Sequence, residues 1–206
     1  MRLFAMPGTC ALAPNIVALW GGVDVTVVNL ARGDHREPAY LAINPKGQVP
    51  ALEIAPGNVL TEASAIMRYL AALSPHADIN PQDLKRWARI DEALSYFISE
   101  VHAGFGGHFA SYRFAESDSA QAEVKAATYQ KIAEHFSRID AHFANHGADY
   151  YLGGRSIADA YLFVITRWID GTPLSICEYP NVATFRERMS VDVDVRQAIK
   201  RQEMTG

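Results

Sequence analysis

Residues 1–28 run MRLFAMPGTCALAPNIVALWGGVDVTVV, and three consecutive elements can be read from them. Arg2 to Ala5 predicts a short strand. Ala11 to Trp20 predicts a helix, with Pro14 tolerated in its first turn and Gly21-Gly22 as its stop. Val23-Asp24-Val25-Thr26-Val27-Val28 is alternating and β-branched, which predicts a second strand. A strand, a helix and a strand in about thirty residues make a βαβ unit.

Outward from that unit, Arg36 to Ile43 predicts a short helix, and Asn44-Pro45-Lys46-Gly47 is turn chemistry. Val49 to Ile54 and Asn58 to Leu60 flank Ala55-Pro56-Gly57, where proline fixes φ and glycine accepts positive φ, so the pair predicts an antiparallel hairpin. Thr61 is placed to cap a helix from Glu62 to Leu73, whose Ile66, Tyr69, Leu70 and Leu73 share one face. The order is β-α-β-α-β-β-α.

Ser74 to Pro81 holds two prolines and no apolar periodicity, so it is expected to be a linker. It separates a first domain, 1–75, from a second, 82–206. In the second, Trp87, Ile90, Leu94, Phe97, Ile98 and Val101 keep helical spacing. So do Val124, Ile132, Phe136, Ile139 and Phe143, and then Ile157, Tyr161, Val164, Ile165 and Trp168. Val191-Asp192-Val193-Asp194-Val195 alternates like a strand but has no partner strand nearby. The fold class expected is an α/β domain followed by an all-α domain.

Composition narrows the function classes. The 206 residues are 49% hydrophobic and 20% charged, an ordinary globular balance that excludes disorder, collagen and coiled coil. A net charge of -4, spread along the chain, offers no basic stripe for nucleic acid. Two cysteines, Cys10 and Cys177, fit a reducing compartment, and the cytoplasm is expected. Pro7-Gly8 and Pro14 interrupt the first apolar run before it becomes a secretion signal. No apolar stretch nears the roughly 18 residues of a membrane span.

Cys10 falls between the first strand and the first helix, where unpaired N–H groups and the helix dipole favour thiolate over thiol. Such a thiol attacks disulfides and electrophiles; the alternative is a small buried hydrophobe. Val49-Pro50 either holds a cis bond that offers the Val49 backbone to an extended peptide, or simply starts an edge strand. Glu62, at a helix start, suits a ligand ammonium beside N–H groups that suit a carboxylate; ordinary capping is the alternative.

Ser156-Ile157-Ala158-Asp159 fits a capping box. His142 and His146 stand at i, i+4 but lack further ligands, so no metal site is expected. Gly104, Gly106 and Gly107 do not form a phosphate loop and are expected to serve close packing or a helix break.

Several of these stretches together resemble one family. Met1-Arg2-Leu3-Phe4, Pro7 to Pro14, Asn44-Pro45-Lys46-Gly47-Gln48-Val49-Pro50-Ala51-Leu52, Leu60-Thr61-Glu62 and Ala65-Ile66 look like the N-terminal domain of bacterial beta-class glutathione S-transferases. Phe97 to His102 and Ser156 to Phe163, with Arg167-Trp168, extend the resemblance over nearly the whole chain.

The resemblance implies a thioredoxin-like domain followed by an all-helical domain, a homodimer, and glutathione as co-substrate in the cleft between domains. It matches Cys10 to the cysteine that faces or bonds the glutathione sulfur and Val49, before the cis-proline Pro50, to the residue that pairs with the cysteinyl backbone. Glu62 and Ala63 match the γ-glutamyl site. Ser95, Ser99, Glu100 and His102 match helical-domain positions lining the site, some reaching across the dimer. The activity implied is conjugation or reduction of small electrophilic or disulfide substrates, with Cys10 and His102 catalytic. A non-enzymatic ligand carrier or partner-binding protein of the same fold is the alternative.

The chain departs from the family pattern in places. Ala63 stands where the family usually has Ser or Gly, Ala5 where Tyr is common, and Ala103 where Lys is common. The loop Ala31 to Pro38 lacks the Lys that meets the glycyl carboxylate, for which Arg32, His35 or Arg36 are the available substitutes. Each lost charge-assisted hydrogen bond costs about 1.5 to 3 kcal/mol, so glutathione is expected to bind more weakly than is usual in the family. Gly153-Gly154-Arg155-Ser156 lacks the aromatic that would complete a hydrophobic staple, and Asp192-Val193 replaces a common Arg-Pro.

Overall fold

A computed structural model describes residues 1–203. They form two compact units, Met1–Arg86 together with the chain from Met189 onward, and Trp87–Arg188. The units divide the chain elsewhere than the 75/82 boundary expected from the linker. Ser74 and Ile79, inside the proline-rich stretch, are buried in the first unit, and the last helix packs back onto it.

The first unit is built on four strands: β1 (Arg2–Ala5), β2 (Thr26–Asn29), β3 (Ala51–Ala55) and β4 (Asn58–Thr61), in the order β2-β1-β3-β4. β1 is parallel to β2 and antiparallel to β3, and β3 is antiparallel to β4. The β1–β3 register sets Arg2 opposite Glu53, and Arg2 Nε donates to Glu53 Oε2 at 2.6 Å. Side chains alternate across the sheet. Phe4 and Ala51 pack on one face with Tyr40.

Helices α1 (Leu12–Trp20), α2 (Pro38–Leu41) and α3 (Ala63–Ala72) complete the expected β-α-β-α-β-β-α order. Ile16, Val17, Ile66, Met67 and Leu70 are fully buried as α1 packs on α3.

In the second unit, α4 (Leu84–Tyr96) runs into a π-helical segment at Phe97–His102, followed by α5 (Gly106–Ala110), α6 (Asp118–His146), α7 (Ile157–Trp168) and α8 (Pro180–Val191). Ten consecutive residues of α7, Ile157 to Thr166, are buried, so it is the central helix of the unit. Its start is the expected capping box: Ser156 N–H and Oγ donate to Asp159 Oδ2 at 2.8 and 2.9 Å, and Tyr151 N–H donates to Oδ1 at 2.9 Å. Gly107 serves the close packing expected, since a Cβ there would lie 2.0 Å from Thr128 Oγ1 on α6.

The alternating run 191–195 is not a strand. It is the junction between α8 and α9 (Val193–Glu203), where Asp192 Oδ1 accepts the N–H groups of Asp194 and Val195 at 2.9 and 3.0 Å and Trp20 Nε1–H at 3.3 Å. Asp192 caps a helix, which is the physical reason the period-two pattern misleads. Asn15 and Asn29 donate to the carbonyls of Ala198 and Arg201 at 3.0 and 2.8 Å, tying α9 to α1 and β2. Among the described residues no helix is long and apolar enough to cross a membrane, and no group of three or more metal-ligating side chains occurs.

Candidate functional site

Cys10 closes the turn between β1 and α1, and it is half-buried. Its Sγ lies 3.9 Å from the carbonyl oxygen of Val49, to which the thiol donates. The helix start differs from the expectation of unpaired N–H groups. Ala11 N–H donates to Thr9 Oγ1 at 3.4 Å, Leu12 N–H to Thr9 O at 3.3 Å, and Ala13 N–H to Cys10 O at 3.1 Å. Thr9 therefore occupies donors that would otherwise face an anion, and the axial dipole is what the helix still offers the sulfur.

The Val49–Pro50 peptide is cis. It does not open an edge strand: β3 lies between β1 and β4, both of which pair with Ala51. Val49 precedes the first paired residue, so its backbone lies beyond the ladder beside the Cys10 sulfur.

Glu62 is itself the N-cap of α3, with φ +71, the left-handed region that non-glycine residues avoid. Thr61, expected as the cap, is the last residue of β4, and no side chain caps the helix. Ala63, at the first helical position, is buried, and the first N–H groups of α3 are left without a side-chain cap. The Glu62 carboxylate already has a cation, because Lys46 Nζ donates to Glu62 Oε1 at 2.6 Å and to Thr61 Oγ1 at 3.1 Å. Lys46 was legible in the sequence only as part of a turn. The signal for its placement is Asn44, whose Oδ1 accepts the Lys46 N–H at 3.2 Å.

Cys10, Val49, Glu62 and Ala63 thus belong to one unit, as does Pro50. Arg32 and Arg36 are exposed, and His35 is half-buried with Nδ1 enclosed and unpartnered.

In the second unit, Ser95, Ser99 and Glu100 are exposed. The two serine hydroxyls donate into their own helix, to Asp91 O at 2.7 Å and Ser95 O at 2.8 Å. His102 ends the π-helical segment, a local distortion common at functional sites. Its Nδ1 is 2.5 Å from the Tyr161 hydroxyl, and its ring meets Trp168 edge-on at 4.7 Å. Burial holds His102 below the ordinary imidazole value, which favours the neutral ring.

Around Trp168 gather Phe105 and Phe109, at 5.6 and 5.4 Å, and Phe109 is exposed, as are Tyr112 and Phe114. The His108 and Phe109 rings meet edge-on at 5.0 Å, and the Tyr96 hydroxyl is hydrogen-bonded to His135 Nδ1 at 3.0 Å. The rings of His142 and His146 stack at 4.2 Å, with His142 Nε2 on Tyr151 O and His146 Nδ1 on His142 O at 2.7 and 2.8 Å. Both are engaged in local structure.

The chain matches two protein families: glutathione S-transferase, N-terminal domain, over residues 1–72, and glutathione S-transferase, C-terminal domain, over residues 92–191. It is 33% identical over 212 residues to glutathione S-transferase GstA of Escherichia coli O157:H7, with 97% of each chain covered. A solved glutathione S-transferase from Xylella fastidiosa is 30% identical, with a TM-score of 0.92 over 99% of both chains. A sphingomonad glutathione S-transferase, complexed with glutathione, is 32% identical, with a TM-score of 0.86 over 100% of both chains.

Proposed function

Because the chain belongs to the glutathione S-transferase family, we propose that it is a glutathione transferase that binds glutathione on its first unit and turns over small electrophilic or disulfide substrates. The observation that carries this is the grouping of a half-buried thiol on the Val49 carbonyl with a carboxylate at an uncapped helix start, all on one thioredoxin-like unit. Glu62 takes the γ-glutamyl ammonium, the Ala63 N–H takes its carboxylate, and the Val49 backbone pairs with the cysteinyl residue beside Cys10.

Two chemistries use this arrangement. In conjugation, the bound glutathione thiolate attacks an electrophilic carbon, and orientation by the chain's own groups supplies much of the acceleration. His102 serves the electrophile or its leaving group through Nε2, the nitrogen not committed to Tyr161. In exchange, the Cys10 thiolate attacks a disulfide sulfur, forms a mixed disulfide with one half and releases the other as thiolate; a second glutathione thiol then resolves it. The exposed Phe109 and Tyr112 suit the apolar part of a substrate. Ser95, Ser99 and Glu100 serve the ligand within a homodimer, and the protein works in the cytoplasm without metal, nucleic acid or membrane.

Steady-state assays with reduced glutathione, a chloronitroaromatic electrophile and a mixed disulfide test this, using wild type and Cys10→Ala. Disulfide reduction is expected to vanish in Cys10→Ala while conjugation persists at reduced rate. Wild-type protein without either activity, yet binding apolar ligands, would establish a carrier instead.

A further inference from the structure

The turn that carries Lys46 is tied down more firmly than a solvent loop requires. Asn44, 2% exposed, donates from Nδ2 to the Gln48 carbonyl at 2.7 Å while its Oδ1 accepts the Lys46 N–H. The Tyr40 hydroxyl donates to the same Gln48 carbonyl at 2.7 Å. Gly47 has φ +59, and a Cβ there would come within 3.1 Å of the His35 carbonyl, so the turn is packed as well as hydrogen-bonded. These contacts fix the Lys46 backbone, and from it the side chain crosses to the end of β4, onto Thr61 Oγ1 and Glu62 Oε1.

The result is a two-pole site, with an ammonium and a carboxylate 2.6 Å apart, beside the uncapped start of α3. An α-amino-acid group has the same two poles. If it docks with its ammonium on Glu62, its carboxylate falls toward the cation that Glu62 has released. Each protein charge exchanges one opposite partner for another, so neither is stripped of a counter-charge as the ligand binds. Ala63 has no hydroxyl to offer that carboxylate, which leaves a backbone N–H and the Lys46 ammonium as its donors.

We propose that Lys46 is a specificity-determining residue that reads the α-carboxylate of the γ-glutamyl group while Glu62 reads the α-ammonium. The assignment rests on the glutathione reading above and adds to it a charged side-chain donor for a carboxylate that would otherwise have the Ala63 backbone N–H alone. Lys46 thereby raises the preference for a carbon bearing both charges over one bearing an amine alone.

Calorimetric titration of wild type and Lys46→Met with three ligands tests this: glutathione, its glutaryl analogue lacking the α-amino group, and its 4-aminobutyryl analogue lacking the α-carboxylate. Matching thermal melts confirm that Lys46→Met is folded. The expected result is a loss of about five- to tenfold in affinity for glutathione and the glutaryl analogue, with no loss for the aminobutyryl analogue, whose ammonium no longer has to displace Lys46 from Glu62. Equal losses for all three, no loss for any, or tighter binding of glutathione by Lys46→Met would overturn the role of Lys46 while leaving the glutathione site standing. Wild-type protein that binds none of the three would remove the glutathione reading and this assignment together.

Discussion

His102 and Tyr161 are joined by a hydrogen bond of 2.5 Å between imidazole Nδ1 and the phenolic oxygen, formed across 59 residues of sequence. Tyr161 is 1% exposed, so its hydroxyl is held by the packing of α7. A hydroxyl that donates to Nδ1 fixes the neutral ring with its proton on Nε2. Under the role proposed for His102, with the phenol as donor, Tyr161 is a positioning residue, and Tyr161→Phe is expected to lower kcat for conjugation about tenfold with KM little changed. Nitrogen NMR of the wild type should show His102 as the Nε2–H tautomer and the variant as a mixture. An unchanged tautomer and an unchanged kcat would contradict the role.

Glu62, the proposed partner of the ligand ammonium, has a backbone angle it tolerates poorly. Holding a non-glycine residue at φ +71 costs about 1 to 3 kcal/mol. Glu62→Gly is therefore expected to be more stable than Glu62→Ala by about 1 kcal/mol in urea unfolding, although both remove the same ion pair. Both variants should lose glutathione binding. Equal stability of the two would mean that the local backbone relaxes and stores no strain.

At Gly107 the constraint is steric. A Cβ would lie 2.0 Å from Thr128 Oγ1 and 3.1 Å from Val124 Cγ1, so Gly107→Ala is expected to cost about 1 to 3 kcal/mol. Thr128→Ala removes the nearest atom, and the double variant should regain more than half of that loss. Additive costs in the double-mutant cycle would place the strain elsewhere.

Stability should fall on the acid side of neutrality. Burial pushes His102 below the ordinary imidazole value of 6.5. His108 and His135 are shifted the same way, by burial first and then by Lys125 and by Lys131 with Arg138. Around that value the unfolded chain binds protons that the folded protein resists. The stability contributed by neutral rings is therefore complete above the unfolded value and is lost as pH falls toward the folded values. Thermal midpoints should drop as pH falls through and below the ordinary imidazole value of 6.5, and His102→Gln should shrink the drop. A flat profile would contradict neutral burial of these rings.

The residues differ in how openly the sequence declares them. Cys10, Val49 and Glu62 stand out in the sequence as candidates because each stands at a strand or helix boundary, where turn chemistry and unpaired backbone groups advertise chemistry. Their partners were not. Thr9 satisfies the N–H groups that were expected to serve Cys10, and Lys46 reaches Glu62, through contacts that depend on how loops fold. Ile79 is buried inside a stretch whose prolines read as a linker, since periodicity says nothing of a single anchoring side chain. Asp192 shows the same limit from the other side, because one capping carboxylate outweighed an alternation that by itself spells a strand. The βαβ unit and the long helices of the second half rest on longer periodic runs, and over those runs sequence and structure agree on strand against helix.

The most direct test of the account is an amide NMR titration of the uniformly labelled wild-type protein with reduced glutathione. Saturable shifts are expected, centred on the backbone amides of Cys10, Val49, Glu62 and Ala63. Shifts centred elsewhere, or none at millimolar glutathione, would contradict it.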